Sequence, residues 1–297
     1  MRTPTYCIVI LLILACFEIR GQDRGRKKLY PTAKKTGPAK QRDTFLDKQW
    51  YLGLRGGINL TQAVPDRRFS TISPINFDET QTEKSYQDFN KLGVQIGLDF
   101  TYTFSGWAFS LQPTYIRERF TYTNEFAWQD TSSPDNTLML DLSQDNELEY
   151  LELPFLVKYE FIDGPLKPFV TLGAYYGALV NANKSVSFSG SDTASGGASD
   201  FERDDFSVGA SDLFLTSQGG LLGGAGVHYD PGNIRVTIDI LYRYGLHNIA
   251  DRQNRYSDNR LVGVGDVLDD LSLRNISLNV GVLFPLRFLS TTFKSNS

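Results

Sequence analysis

The chain has 297 residues, of which 41% are hydrophobic and 13% aromatic, with a formal net charge of −4. Past residue 21 no run approaches the ~18 consecutive apolar residues of a transmembrane helix, so any passage through a bilayer must use strands. Both cysteines, Cys7 and Cys16, lie in that opening segment. This excludes a disulfide-stapled module, a thiol nucleophile or a thiolate metal site from everything that follows.

Arg2 followed by the apolar run Ile8 to Ala15 reads as a secretory signal over residues 1–21. Cleavage near Gly21 is the preferred reading, and lipidation at Cys16, after Ile13-Leu14-Ala15, stays open. Residues 22–48 form a basic tail. Between Asp23 and Lys48 there are nine Lys/Arg against Asp23, Asp43 and Asp47, with Pro31, Gly37 and Pro38 and little apolar content. That composition predicts a flexible segment before the folded domain. An exported chain with no nucleic-acid-binding module argues against nucleic acid as the partner of these charges.

From residue 49 to residue 288 the sequence alternates. Gln49 to Leu60 sets Trp50, Leu52, Leu54, Ile58 and Leu60 against Tyr51, Arg55 and Asn59. Lys91 to Phe104 repeats the pattern, and it restarts at Trp107 after only Ser105-Gly106. Leu148 to Phe161, reading LEYLELPFLVKYEF, is the strictest case, with one apolar and one charged parity. Pro168 to Ala182, Leu213 to Tyr229, Ile234 to His247 and Leu271 to Leu286 complete eight predicted strands. Side chains on a strand alternate between faces, and about 9 to 11 residues suffice to cross a bilayer at a tilt.

The connections alternate as well. Those after strands 2, 4 and 6 are short turns built on Ser105-Gly106, Asp163-Gly164-Pro165 and Asp230-Pro231-Gly232-Asn233. The others, roughly 61 to 90, 124 to 147, 183 to 212 and 248 to 270, are long. The expected fold is an all-β, eight-stranded antiparallel transmembrane β-barrel with short periplasmic turns and long external loops, both termini periplasmic, and a short tail over 289–297. A water-soluble barrel would invert the parities. Glycines on the polar parity and aromatics near strand ends favour the membrane form. Trp50, Phe104, Trp107, Phe161, Phe169, Tyr229 and Phe284 would mark one edge; Tyr115, Phe120, Tyr122, Tyr150, Tyr176, Tyr242 and Tyr244 the other.

Gly53, Gly56, Gly57 and Asn59 in the first strand, with YLELPFLVKYEF followed by Gly164 and Pro168-Phe169, resemble the PorT-like outer-membrane β-barrel family of Bacteroidota. The resemblance spans about Trp50 to Leu286 and implies an outer-membrane barrel with no reaction and no cofactor. Asn279, Gly281, Phe284 and Leu286 are similar to the last-strand signal read by the barrel assembly machinery, although eleven residues follow Leu286. The family's namesake is linked to type IX secretion. The resemblance carries over the fold and not that secretion role; the expected partners are outer-membrane lipid and lipopolysaccharide and the assembly machinery, with secretion-complex or surface-lipoprotein subunits joining them if the tail from Asp23 to Lys48 serves as a docking arm.

By parity, Arg55, Asp99, Glu118, Glu152, Lys158, Glu160, Asp239 and Arg243 point into the lumen, where a structural charge network is expected in place of an ion path. The only histidines are His228 and His247. His247 shares the inward parity of Arg243 near the outer rim, where a lipid-modifying enzyme would need a hydroxyl and a carboxylate within reach. A solvated rim histidine is the simpler expectation. Asn124 to Glu149 carries Glu125, Asp130, Asp135, Asp141, Asp145, Glu147 and Glu149 with no Lys or Arg, a stretch suited to a cation or a basic partner but without EF-hand spacing. Asn183 to Asp212, rich in Ser, Gly and Asp, reads as a mobile external segment. The sequence therefore predicts a barrel with no catalytic, cofactor or metal residues, acting structurally or through interactions. A lipid-modifying enzyme and a narrow pore are the alternatives.

Overall fold

A computed structural model describes residues 48–69, 82–162, 164–194, 199–255 and 267–286. The predicted signal, nearly all of the basic tail, and the C-terminal tail lie outside these residues. Eleven strands form one antiparallel sheet: β1 Lys48–Arg67, β2 Thr82–Tyr86, β3 Leu92–Phe104, β4 Trp107–Leu111, β5 Thr114–Gln129, β6 Thr137–Glu160, β7 Leu166–Asp192, β8 Ser199–Gly209, β9 Ser217–Tyr229, β10 Arg235–Gly245 and β11 Asp270–Pro285. The sheet closes on itself through β1 with β11 and β6 with β7. β4 and β5 are two halves of one wall strand, broken at Gln112-Pro113, so the ring has eight staves. Across the break Gln112 N donates to Pro154 O at 3.0 Å and Leu98 N to Pro113 O at 2.9 Å, so the ladder continues where proline lacks a donor.

The short turns follow their residues. Ser105 (φ 49°) and Gly106 (φ 83°) make the two-residue hairpin between β3 and β4, whose twist needs positive φ at both positions. Outside the barrel lies the apolar parity: Leu54, Ile96, Leu151, Phe155, Leu172, Ile240 and Val280 are all exposed. A soluble barrel would bury these and expose the charges; here the charges are inside. Trp50, Phe104, Trp107, Phe161, Tyr229 and Phe284 ring the short-turn end, and Tyr176, Tyr242 and Tyr244 stand at the other margin.

Four residues expected in these girdles belong to the interior. Phe120, Tyr122 and Tyr150 share the parity of Glu118 and Glu152 and are fully buried, and Phe169 shares that of Thr171. Their aromatic character suggested a girdle, but strand parity decides the side. A second correction concerns the long connections. Residues 124 to 147 are mostly strand, with a tip over 130–136, because Asn124, Phe126 and Trp128 pair with Leu142, Leu140 and Leu138. Likewise 183 to 212 is mostly β7 and β8, paired from Asn183↔Gly209 to Asp192↔Ser199, where a mobile loop was expected. Small polar residues mask a real period of two. β2 pairs with the upper part of β5, so β2, β5, β6, β7 and β8 rise as a five-stranded sheet above the ring.

The connections after β8 and β10 fold over the same end. A 3-10 turn at Ser211–Leu213, a bridge between Phe214 and Ala250, and Ile249 N donating to Leu271 O at 2.8 Å hold them there. Leu213, Phe214, Ile249 and Ala250 thereby pack with Ile116, Phe120, Leu148, Tyr150 and Leu271 into one apolar cluster.

Candidate functional site

Because inward residues alternate, each stave contributes one side chain to every second level of the lumen, and the levels differ in chemistry. Nearest the short turns, Arg235 binds Asp230 through Nε at 2.7 Å and Glu160 through Nη1 at 2.8 Å, while Lys167 Nζ lies 3.0 Å from Asp230. Burial alone would raise the Asp230 carboxyl, but hydrogen bonding and charge from Arg235, then Lys167, outweigh it and hold it below the usual range. Above this His228, buried, has Nδ1 2.8 Å from Thr237 Oγ1 and stacks on Phe169 at 4.1 Å between centroids. Lys158 Nζ sits 5.4 Å from the Phe169 centroid and 3.9 Å from Asp99 Oδ2.

The next level is a closed circuit. Arg55 Nη2 donates to both oxygens of Asp239, at 3.1 and 3.3 Å, and Nη1 to Gln112 Oε1. Gln112 Nε2 donates to Asp99 at 2.7 Å, and Asn279 Nδ2 to Asp239 at 2.8 Å. Above it Leu156, Tyr175, Leu222 and Leu241 form an apolar layer across the lumen. Two glycines permit that closure. A Cβ on Gly173 would lie 2.1 Å from Phe155 O, and one on Gly224 would lie 2.1 Å from Ile240 O.

A third polar level follows. Arg243 Nε lies 3.3 Å from Glu152 Oε2, Gln218 Nε2 lies 3.3 Å from Glu152 and 3.4 Å from Glu118, and Asn275 Nδ2 donates to Glu118 at 3.1 Å. The large apolar cluster closes the top. All eight predicted lumen residues thus face inward, in three separate levels, with Glu160 half-buried at the short-turn rim. Parity alone missed the level assignment and the neutral connectors Gln112, Gln218 and Asn275. It also overlooked His228, which could have been found by counting inward parity back from Gly226 and Gly224.

The last-strand residues serve both sides of the wall. Asn279 belongs to the Arg55 circuit, Gly281 packs against Arg55, and Phe284 and Leu286 face outward. His247 falls just past the end of β10, exposed, its Nδ1 3.3 Å from Gly219 O; among the described residues no carboxylate or hydroxyl hydrogen-bonds to it. Among the described residues no group of three or more His, Cys, Asp or Glu is placed to hold a metal ion.

The acidic stretch divides. On the outer wall just beyond the lipid-facing band, Asp145, Glu147 and Glu149 pair with basic groups: Arg119 Nη2 to Asp145 at 2.9 Å, Arg117 Nη2 to Glu149 at 3.2 Å, and Lys91 Nζ to Asp145 at 3.1 Å. Higher on the sheet Glu125, Asp135 and Asp141 are exposed. At the start of β11, Asp270 is bound by Arg255 and lies 3.1 Å from Arg252 Nη2. Burial would raise that carboxyl, yet Arg255 and Arg252 hold it below its ordinary value.

A family model described as outer membrane protein beta-barrel domain matches residues 37–251. No curated protein matches the chain. Among solved structures, the chain is similar to the Ail attachment invasion locus protein of Yersinia pestis in complex with a heparin analogue. That match has 15% identity and a TM-score of 0.31, and covers 80% of this chain and 99% of Ail. It is also similar to OprG from Pseudomonas aeruginosa, at 16% identity and a TM-score of 0.33, over 80% and 95% of the two chains. The outer membrane protease OmpT from Escherichia coli matches at 9% identity and a TM-score of 0.31, over 80% and 95%.

Proposed function

The chain belongs to the outer membrane protein beta-barrel domain family, which places it in the bacterial outer membrane, and we propose that it acts there without catalysis, as an interaction protein working through its raised sheet. The observation that carries this reading is the contrast between a filled lumen and an extended sheet. Two apolar layers and three hydrogen-bonded charged levels occupy the interior. A lumen filled by side chains in this way speaks against the narrow pore. β7, in contrast, runs on past its last exposed apolar residue, Val180, to Asp192, a rise of about 30 Å at the usual strand tilt.

The short turns belong on the periplasmic side, as in bacterial barrels generally, so the sheet stands outside the cell. Arg117, Arg119 and Lys91 then lie at lipopolysaccharide headgroup level, and Asn279, Gly281, Phe284 and Leu286 are the last-strand features for the assembly machinery. The likeness of Leu148 to Phe161 to the PorT-like barrels supports a place in that branch, and with it a role as accessory to a secretion or surface-assembly complex. Against the lipid-modifying alternative, His247 has no acid–base partner among the described residues; His247→Ala is expected to leave the lipopolysaccharide acyl pattern unchanged.

The test is affinity purification of the tagged protein from native outer membranes in mild detergent, with mass spectrometry of what stays bound. Stoichiometric partners that are lost when the β5–β6 tip is shortened are expected. A bare barrel, or conductance above background in planar bilayers, overturns the reading.

A further inference from the structure

The raised sheet ends on one side at β8, which pairs with β7 and with no other strand among the described residues. An edge strand turns a row of backbone N–H and C=O groups outward, ready to template another chain. Its pairing with β7 shifts between Val186 and Phe188, leaving an unbroken run from Ser199 to Arg203 at the tip. Such a bulge and a dense charge pattern are the ordinary means of keeping an edge from pairing indiscriminately.

Here the charge is of one sign. β8 reads SDFERDDFSVG, with Asp200, Glu202, Asp204 and Asp205 against Arg203. Two and three strands further into the raised sheet, β6 and β5 add exposed Asp141 and Glu125. A second copy of this chain, brought edge to edge, would set acidic run against acidic run, and like charges across a strand pair are destabilising. A basic segment meets the opposite condition, drawn in by the local field and paired once it arrives.

We propose that the outer edge of β8 takes an extended basic segment of a partner polypeptide as an added strand. This rests on the reading of the raised sheet as the interacting part of the molecule and names the chemistry of its partner. Main-chain hydrogen bonds to the Ser199–Arg203 edge supply affinity. Lysine or arginine in the added segment supplies selectivity by matching the acidic sequence of β8.

The full-length protein in detergent is titrated with a fluorescent synthetic peptide of 11 residues, the length of β8, alternating lysine with threonine and valine. A fully N-methylated form keeps every charge but has no backbone donor. The unmodified peptide is expected to bind and to slow hydrogen exchange over 199–209. The methylated peptide, and the unmodified peptide on a Glu202→Lys/Asp204→Lys variant, are each expected to bind at least about tenfold more weakly, a difference near 1.4 kcal/mol. Equal affinity for both peptides, protection elsewhere than 199–209, or no binding overturns the inference. Labelling an Asp135→Cys variant in intact cells separates the two readings. An unreactive cysteine with peptide binding intact overturns the outward orientation and leaves strand addition standing. A reactive cysteine without peptide binding does the reverse.

Discussion

Replacing Arg55 by Met removes the cation at the centre of the middle polar level while keeping an unbranched side chain of similar length. In the wild type its guanidinium serves Asp239 at 3.1 and 3.3 Å, Gln112, and Asp99 at 3.9 Å, all inside the wall. Without it, Asp239 keeps its bond from Asn279 and Asp99 keeps those from Gln112 and Thr101, but two buried carboxylates share Lys158 as their remaining cation. Breaking one side of a buried, hydrogen-bonded charge pair costs about 3–5 kcal/mol. Arg55→Met should cost that much. The double variant Arg55→Met/Asp239→Leu leaves Asp99 with Lys158 and restores the charge balance, so it should regain most of the loss. Equilibrium urea unfolding from phospholipid vesicles, followed by tryptophan fluorescence, measures both. A single variant within about 1 kcal/mol of wild type, or a double variant no better than the single, refutes the circuit as the main polar support of the lumen.

Gly224→Val places a branched side chain against Ile240 O and Leu241 and should destabilise by about 1–3 kcal/mol, or slow the folding shift seen on unheated gels. Arg119→Ala removes a pair whose arginine is 35% exposed, so the unfolding free energy from urea titration should fall by less than about 1 kcal/mol. Asp270 has its folded pKa lowered by Arg255 and Arg252, so its contribution is complete above the unfolded value of about 3.9 and is lost as pH falls through the depressed folded value. Asp270→Asn should therefore be less stable than wild type at neutral pH and converge with it in acid; parallel curves would contradict the pairing.

Most of the barrel was legible because a wall facing lipid on one side and charge on the other writes both faces into every strand. Leu148 to Phe161 shows this, as do the turns at Ser105-Gly106 and Asp230 to Asn233. Parity also put Arg55, Asp99 and Asp239 in the lumen, but it carries no information about height, so which carboxylate meets which arginine had to come from strand stagger. Above the lipid the rule weakens. Solvent lies on both sides of the sheet tip, so Ser, Asp and Gly occupy strand positions in β7 and β8 without a continuous apolar parity to betray them. Phe120, Tyr122 and Tyr150 share the inward parity of Glu118 and Glu152, but aromatic character near a strand end suggested a girdle; the apolar cap they fill forms only when the connections after β8 and β10 fold across the barrel mouth.

The staves are unequal. β6 and β7 have 24 and 27 residues, whereas β9 and β10 have 13 and 11. The described strands of the barrel therefore stand tall on one side and low on the other. Among the described residues, a neighbour in the membrane plane beside β10 meets no strand that continues above headgroup height, while one beside β7 faces a standing screen. Any complex built through that screen must form at one compass bearing about the barrel axis, so rotation within the bilayer becomes part of recognition.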